Sequence, residues 1–205
     1  LVFIIYFTFA RRNASSCGVT TAARSMILEP LKRNFEIAGL PAPVMGTEAE
    51  VIEHAPKIYD SIKSWLIGKN YPDALTSLEL MMGKKHYEYQ KHGEIRTRRD
   101  GETPDFLHEL RIGLAVIADY LDGTIPEKYL QPLLCIAFTH DLGEDFNILP
   151  DAIKKHYENH RTRNRRQFSL ASNTNHCDAA YLAVSMERLT FDRKYTAEQI
   201  YKQMG

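Results

Sequence analysis

Apolar side chains recur every three or four residues along most of this chain, and this spacing constrains the fold more than any other feature. One stripe lies between Thr47 and Leu66, and a second runs from Leu107 to Leu121. A period near 3.6 places such residues on one face of an α-helix, so each segment is predicted to be an amphipathic helix. Alternation with period two is scarce, which argues against strands. The predicted fold class is therefore all-α.

Proline, glycine and capping residues indicate where the predicted helices begin and end. A helix over residues 28–38 is followed by a Gly- and Pro-rich linker at residues 39–43, and another opens at Pro72 and runs toward Tyr89. Thr103-Pro104 is typical of an N-cap followed by a proline in the first turn. The segment from Thr124 to Glu127 is typical of a capping box. Two further helices are therefore predicted to start at these two points.

The length of the chain, 205 residues with 44% hydrophobic content, favours one domain with a substantial core. We predict that residues 46–205 form this domain and that residues 1–45 are an N-terminal segment. The apolar run at residues 1–10 is shorter than the roughly 20 residues that span a bilayer. Residues 1–25 are interpreted as a fragment of a longer protein or an over-extended reading frame, with Met26 as a possible start. A truncated membrane anchor is the alternative.

Charge and cysteine content restrict the expected partners and compartment. Lysine plus arginine and aspartate plus glutamate both number 26, so the formal charge is zero. This balance argues against nucleic acid or an anionic membrane as the main partner. The three cysteines are widely separated and odd in number, which suits a reducing compartment, and the predicted localisation is cytoplasmic.

An apolar run, residues 133–138, is closely followed by two polar pairs, His140-Asp141 and Glu144-Asp145. An imidazole nitrogen beside a carboxylate oxygen is a donor set that suits manganese, iron or zinc. His108 lies 32 residues before His140, a distance that fits one helix, one turn and a second, antiparallel helix. Such a hairpin would bring the start of the first helix to the end of the second. His108, His140 and Asp141 are therefore predicted to share one metal ion.

Two motifs carry a resemblance to a known family. The segment from Arg98 to His108, and then the segment from Phe138 to Asp145, resemble the hydrolase half of the bifunctional RelA/SpoT enzymes and the small alarmone hydrolases. The resemblance covers roughly residues 72 to 155. It implies an HD-domain helical bundle that uses Mn²⁺ to remove pyrophosphate from the 3′ position of guanosine tetra- and pentaphosphate. The leading prediction is therefore a guanosine 3′,5′-bis(diphosphate) 3′-pyrophosphohydrolase, with a nucleotide as its small-molecule substrate.

The resemblance also implies a role for each matching residue. It implies that His108, His140 and Asp141 are the metal ligands. It also implies that Glu144 and Asp145 are the catalytic acids that orient the attacking water or accept its proton. The remaining two positions, Arg98 and Arg99, correspond to family residues that contact the nucleotide. Independently of the family, arginines suit phosphate or a stacked base.

This sequence also departs from the family pattern. Family members have a further aspartate on a late helix as fourth ligand, and the candidates here are Glu187, Asp178, Asp192 or a residue beyond Gly205. Glu109 stands where the family has proline. Alternative functions are therefore an HD-type nucleotidase or phosphodiesterase, or a degenerate HD domain that binds nucleotide or RNA without catalysis. The basic run at residues 161–166 would serve RNA binding, although a solvated face is its default interpretation.

Overall fold

The computed structural model describes residues 31–40, 47–164 and 177, and α-helices dominate these ranges. The helices are α1 (residues 31–38), α2 (Glu48–Glu53), α3 (Ala55–Lys69), α4 (Pro72–Met82), α5 (Leu107–Leu121), α6 (Glu127–Thr139), α7 (Leu142–Phe146) and α8 (Pro150–Asn164). Within the described ranges there is no strand, only an isolated antiparallel bridge between Thr97 and Pro104. The all-α prediction is confirmed for this part of the chain. None of the described helices combines the length and apolar character that crossing a membrane requires.

The helix predicted from Thr47 to Leu66 is divided into α2 and α3 at His54. A capping box starts α2, where Thr47 Oγ1 accepts from the Glu50 amide and Glu50 accepts from the Thr47 amide. Pro56 in the first turn of α3 has no amide hydrogen, which favours a new helix start at this point. The C-cap of α3 is Asn70, whose φ of 59° lies in the left-handed region.

The helix predicted from Pro72 toward Tyr89 is present and contains a wider turn. After α4, residues Gly83–Tyr87 adopt π-helical geometry, and a last α-helical turn follows at Glu88–Gln90. Lys85 is the buried residue of the π-helical segment, with 1% of its surface exposed. Single π-helical turns inside α-helices are frequent at functional sites.

The predicted N-cap at Thr103 is wrong, because α5 begins four residues later at Leu107 without a side-chain cap. The Thr103 carbonyl instead accepts from the Arg98 amide at 2.9 Å, and the Asp105 amide donates to the Arg96 carbonyl at 2.9 Å. These two bonds keep residues 96–105 in an extended, hairpin-like loop. The side-chain contact between Arg96 and Asp105 adds to this loop, so tertiary contacts override the local helix signal.

The predicted capping box at Thr124 is also wrong, because α6 begins at Glu127 with Pro126 as its N-cap and no side-chain cap. The reason lies in the turn between α5 and α6. Ile125 is buried, and its amide donates to the Asp119 carbonyl at 3.0 Å, which draws the turn back toward α5.

The hydrophobic core lies where α6 packs against α4 on one side and α5 on the other. Its fully buried members include Leu78, Leu110, Leu114, Leu134 and Phe138. Because the turn between α5 and α6 is short, the two helices form an antiparallel hairpin. The first turn of α5 therefore lies beside the last turn of α6.

Part of the predicted N-terminal segment belongs to the same core. Leu31, Phe35 and Ala38 on α1 are buried and join the hydrophobic cluster. Their spacing of four and three residues forms a stripe along one helix face. The apolar face of residues 31–38 therefore packs with the helices of residues 47–164, and the domain boundary predicted at residue 45 stays a prediction. Residues 1–30 and 41–46 lie outside the described residues.

Candidate metal centre

Three of the predicted site residues meet at one end of the α5–α6 hairpin. His108 lies in the first turn of α5, His140 directly follows α6, and Asp141 is the next residue. One ligand atom from each of the three lies within 4.8 Å of the others. The His140 Nε2 to Asp141 Oδ1 distance is 3.0 Å, and the His108 Nε2 to Asp141 Oδ2 distance is 3.9 Å. The three side chains therefore lie close together, as predicted.

The separations fit a shared divalent ion. Atoms about 2.1 Å from one ion lie roughly 3 to 3.4 Å apart at tetrahedral or octahedral angles, so the 3.0 Å pair already fits and the 3.9 Å pair would have to close by about 0.5 Å. The backbone also orients His140, whose Nδ1 lies 2.9 Å from the Ala137 carbonyl oxygen. That carbonyl favours a proton on Nδ1, and Nε2 is then the nitrogen that faces Asp141. Metal-binding histidines are commonly oriented in this way.

The electrostatics of the three residues also suit a cation. Burial, together with the nearby charges of His140 and Arg98, lowers the pKa of His108 well below its usual range, so its imidazole is neutral, as metal binding requires. Burial would lower the pKa of His140, but its hydrogen bond to Asp141 and the charges of Asp141 and Glu109 together raise it. Burial would raise the pKa of Asp141, but contact with His140 and the Lys85 charge hold it far below its usual range.

Lys85 is a central part of this site that the sequence reasoning missed. Its Nζ lies 2.5 Å from Glu109 Oε1, 2.8 Å from Asp145 Oδ2, 3.2 Å from Asp105 Oδ2 and 3.8 Å from Asp141 Oδ2. Burial would lower the pKa of the ammonium, but these four carboxylates raise it above its usual range. Lys85 therefore stays charged although it is almost completely buried.

A signal for Lys85 was present in the sequence. Lys85 lies three, four and seven residues after Met82, Met81 and Leu78, and all three of these are buried. A lysine on the apolar stripe of a helix is buried only when it is paired, since an isolated buried charge is very costly. The position of Lys85 on the stripe therefore predicts acidic partners, although not which ones.

Glu109 is the main partner of Lys85. It is completely buried, and burial raises its pKa to about 7 against the opposing effect of Lys85. Its Oε2 atom has no hydrogen-bond partner within the described part of the chain. Glu109 therefore brings a buried carboxylate oxygen without a described partner into the site.

Arg96 is a second cation that the sequence reasoning missed. Its Nε lies 2.7 Å from Asp105 Oδ2 and its Nη2 lies 3.2 Å from Asp145 Oδ1. The guanidinium also stacks over the Phe146 ring at 4.5 Å from the centroid. Together with Lys85, Arg96 therefore engages both carboxylate oxygens of Asp145.

The other predicted site residues are placed less completely. Arg98 is partly buried and close enough for its charge to lower the pKa of His108, whereas Arg99 is exposed. The backbone of Glu144 lies in α7, but its side chain lies outside the described part of the structure. The fourth-ligand candidates Asp178 and Glu187 lie outside the described residues. The same holds for Asp192, so the fourth ligand stays a prediction.

Comparisons with protein-family models, with curated proteins and with solved structures gave no match to this chain.

Proposed function

We propose that this chain is an HD-domain phosphohydrolase that uses a divalent metal ion, Mn²⁺ as leading candidate, to hydrolyse a phosphorylated nucleotide. The observation that carries the proposal is the convergence of His108, His140 and Asp141 at one end of a helix hairpin. The two motifs that resemble the alarmone hydrolases contain these same residues. Guanosine 3′,5′-bis(diphosphate) is the leading substrate because of that resemblance.

A divalent ion held by these three side chains would neutralise charge on phosphate oxygens and lower the pKa of water beside it. The protein's own residues then have separate tasks. His108, whose pKa is lowered, supplies a neutral nitrogen donor, and Asp141, which stays ionised, supplies an oxygen donor. The pKa of His140 is raised, so a bound cation would have to displace any proton on Nε2 before this nitrogen could act as a donor. Arg98 adds positive charge next to His108, where a phosphate group would lie. Arg99 is exposed and would contact the outer part of the nucleotide.

Proton transfer belongs to Glu144 rather than Asp145 in this proposal. Both carboxylate oxygens of Asp145 already form ion pairs, one with Lys85 and one with Arg96. Because each of these oxygens contacts a cation, we assign Asp145 the role of an ion-pair partner and not that of proton acceptor. Asp145 instead keeps Arg96 and Lys85 in place around the metal ligands. Glu144 lies one residue earlier on α7 and is the acid left for the proton.

The experiment measures pyrophosphate release from guanosine 3′,5′-bis(diphosphate) by the protein loaded with Mn²⁺. Asp141→Ala is expected to abolish release, because it removes the metal-binding carboxylate that lies beside both histidines. The matched control is Asp60→Ala, which removes an exposed aspartate on α3 and should leave turnover unchanged. Equal turnover in wild type and Asp141→Ala would refute the site. A panel that includes nucleotides and cyclic nucleotides distinguishes the nucleotidase and phosphodiesterase alternatives.

A degenerate domain that binds nucleotide or RNA without hydrolysis is the second candidate. Glu187 stands at the nearest match to the aspartate that the resembled family uses as fourth ligand, and this difference favours the second candidate. This candidate predicts no turnover on any member of the panel. It also predicts RNA binding that weakens steeply with salt and with replacement of the arginines in residues 161–166.

A further inference from the structure

The Lys85 ammonium lies in a cage of carboxylates that directly adjoins the metal ligands. Asp105 comes from the loop before α5, Glu109 from α5, and Asp141 and Asp145 from the segment after α6. One oxygen, Asp141 Oδ2, lies 3.8 Å from Lys85 Nζ and 3.9 Å from His108 Nε2. Asp141 therefore lies between the predicted metal position and the ammonium.

In this arrangement the ammonium and the predicted metal ion lie on either side of one carboxylate, that of Asp141. Where two metal ions act together on phosphate esters, they lie about 3.5 to 4 Å apart, and oxygen ligands suit the hard divalent ions. A lysine ammonium is a compact charge that can lie among carboxylates as such an ion does. A side-chain cation also remains in place without depending on the concentration of free metal.

We propose that the Lys85 ammonium takes the position of a second cation, so that this site binds one divalent metal ion and not two. The inference rests on the proposed function only in that His108, His140 and Asp141 bind the first ion. Among the described side chains of the cage, four carboxylates against Lys85 and Arg96 give a formal charge of −2 when all four are ionised. One divalent ion balances this charge. Without Lys85 the charge becomes −3, which favours binding of another cation.

The test counts bound Mn²⁺ by equilibrium dialysis and detects paired Mn²⁺ ions by electron paramagnetic resonance, which reports magnetic coupling between neighbouring ions. Wild type is expected to bind one ion and show no coupled signal. Lys85→Met is expected to bind two and show coupling. The matched control is Lys84→Met, which removes the neighbouring, more exposed lysine whose partner is Glu88, and it should bind one ion.

Two wild-type ions, or one ion in a folded Lys85→Met protein, would overturn the inference. If Lys85→Met does not fold, as circular dichroism would show, Lys85→Gln replaces the ammonium with an uncharged group that can still donate hydrogen bonds to the carboxylates of the cage, and it also leaves the charge at −3. It is held to the same expectation of two ions. Wild type with one ion and no hydrolysis of any substrate removes the proposed function but leaves this inference intact. Wild type with two ions and normal hydrolysis supports the proposed function but overturns this inference. Wild type without any bound ion overturns both.

Discussion

Gly113 on α5 allows the ring of Phe138 on α6 to lie directly against the helix backbone, and Gly113→Ala tests whether this contact holds the site together. A Cβ atom built at Gly113 would lie 2.3 Å from Phe138 Cε1 and 2.6 Å from Cζ. Carbon atoms pack at about 3.5 to 4.0 Å, so the shorter contact is at least about 1.2 Å too close. Phe138 is completely buried, so its ring cannot move into solvent. The ring must therefore turn within a filled core, or the two helices must move apart.

The expected loss of stability follows from two opposing contributions. Overpacking a core by one methyl group costs about 1 to 3 kcal/mol, and a contact this short lies at the upper end of that range. Alanine in place of glycine within a helix returns up to about 1 kcal/mol. The net change in the free energy of unfolding should be a loss of about 2 kcal/mol. Metal affinity should fall as well, because His108 and His140 lie on the two helices whose packing is disturbed.

Urea unfolding measures the stability, and calorimetric titration with Mn²⁺ measures the affinity. The matched control is Gly68→Ala at an exposed helical position on α3, where an added Cβ meets no atom within 4 Å. It should be unchanged or stabilised by up to about 1 kcal/mol. Adding Phe138→Leu to Gly113→Ala should recover part of the lost affinity. If Gly113→Ala and Gly68→Ala have equal stability and unchanged metal affinity, the packing argument is wrong.

Two further predictions concern the metal and a helix end. Mn²⁺ at 100 times its dissociation constant should raise the free energy of unfolding by about 2.7 kcal/mol. Thermal unfolding should show that a chelator reverses this effect and that Asp141→Ala abolishes it. Because Asn70 has a φ of 59°, Asn70→Ala should cost about 1 kcal/mol in urea unfolding, whereas Asn70→Gly should cost nothing. Equal stability of these two substitutions would contradict the assignment of strain to this residue.

Most of the helices could be predicted from the sequence because the information for them is local. The apolar spacing that predicts α3 and α5 depends on residues one or two turns apart, and it does not depend on the rest of the fold. The helix starts at Thr103 and Thr124 were predicted wrongly because contacts elsewhere in the chain override the local capping signal. At Thr103, backbone bonds and the Arg96–Asp105 ion pair keep the chain extended.

The candidate ligands were also within reach of the sequence. His140 and Asp141 are adjacent, and the 32 residues between His108 and His140 fit a helix hairpin, so chain geometry alone brings the three together. Whether they bind a metal stays a prediction. The fourth ligand could not be chosen among Asp178, Glu187 and Asp192, because spacing alone does not select one carboxylate.

The sequence by itself determined the helical character of the chain and the meeting of His108 with His140-Asp141, since both follow from periodicity and chain length. Only the tertiary structure decided the charges around that site. Lys85 is 24 residues from Glu109 in the chain, and it is 60 residues from Asp145. A buried ion pair depends on three-dimensional distance and exclusion of water, and no local sequence pattern specifies either.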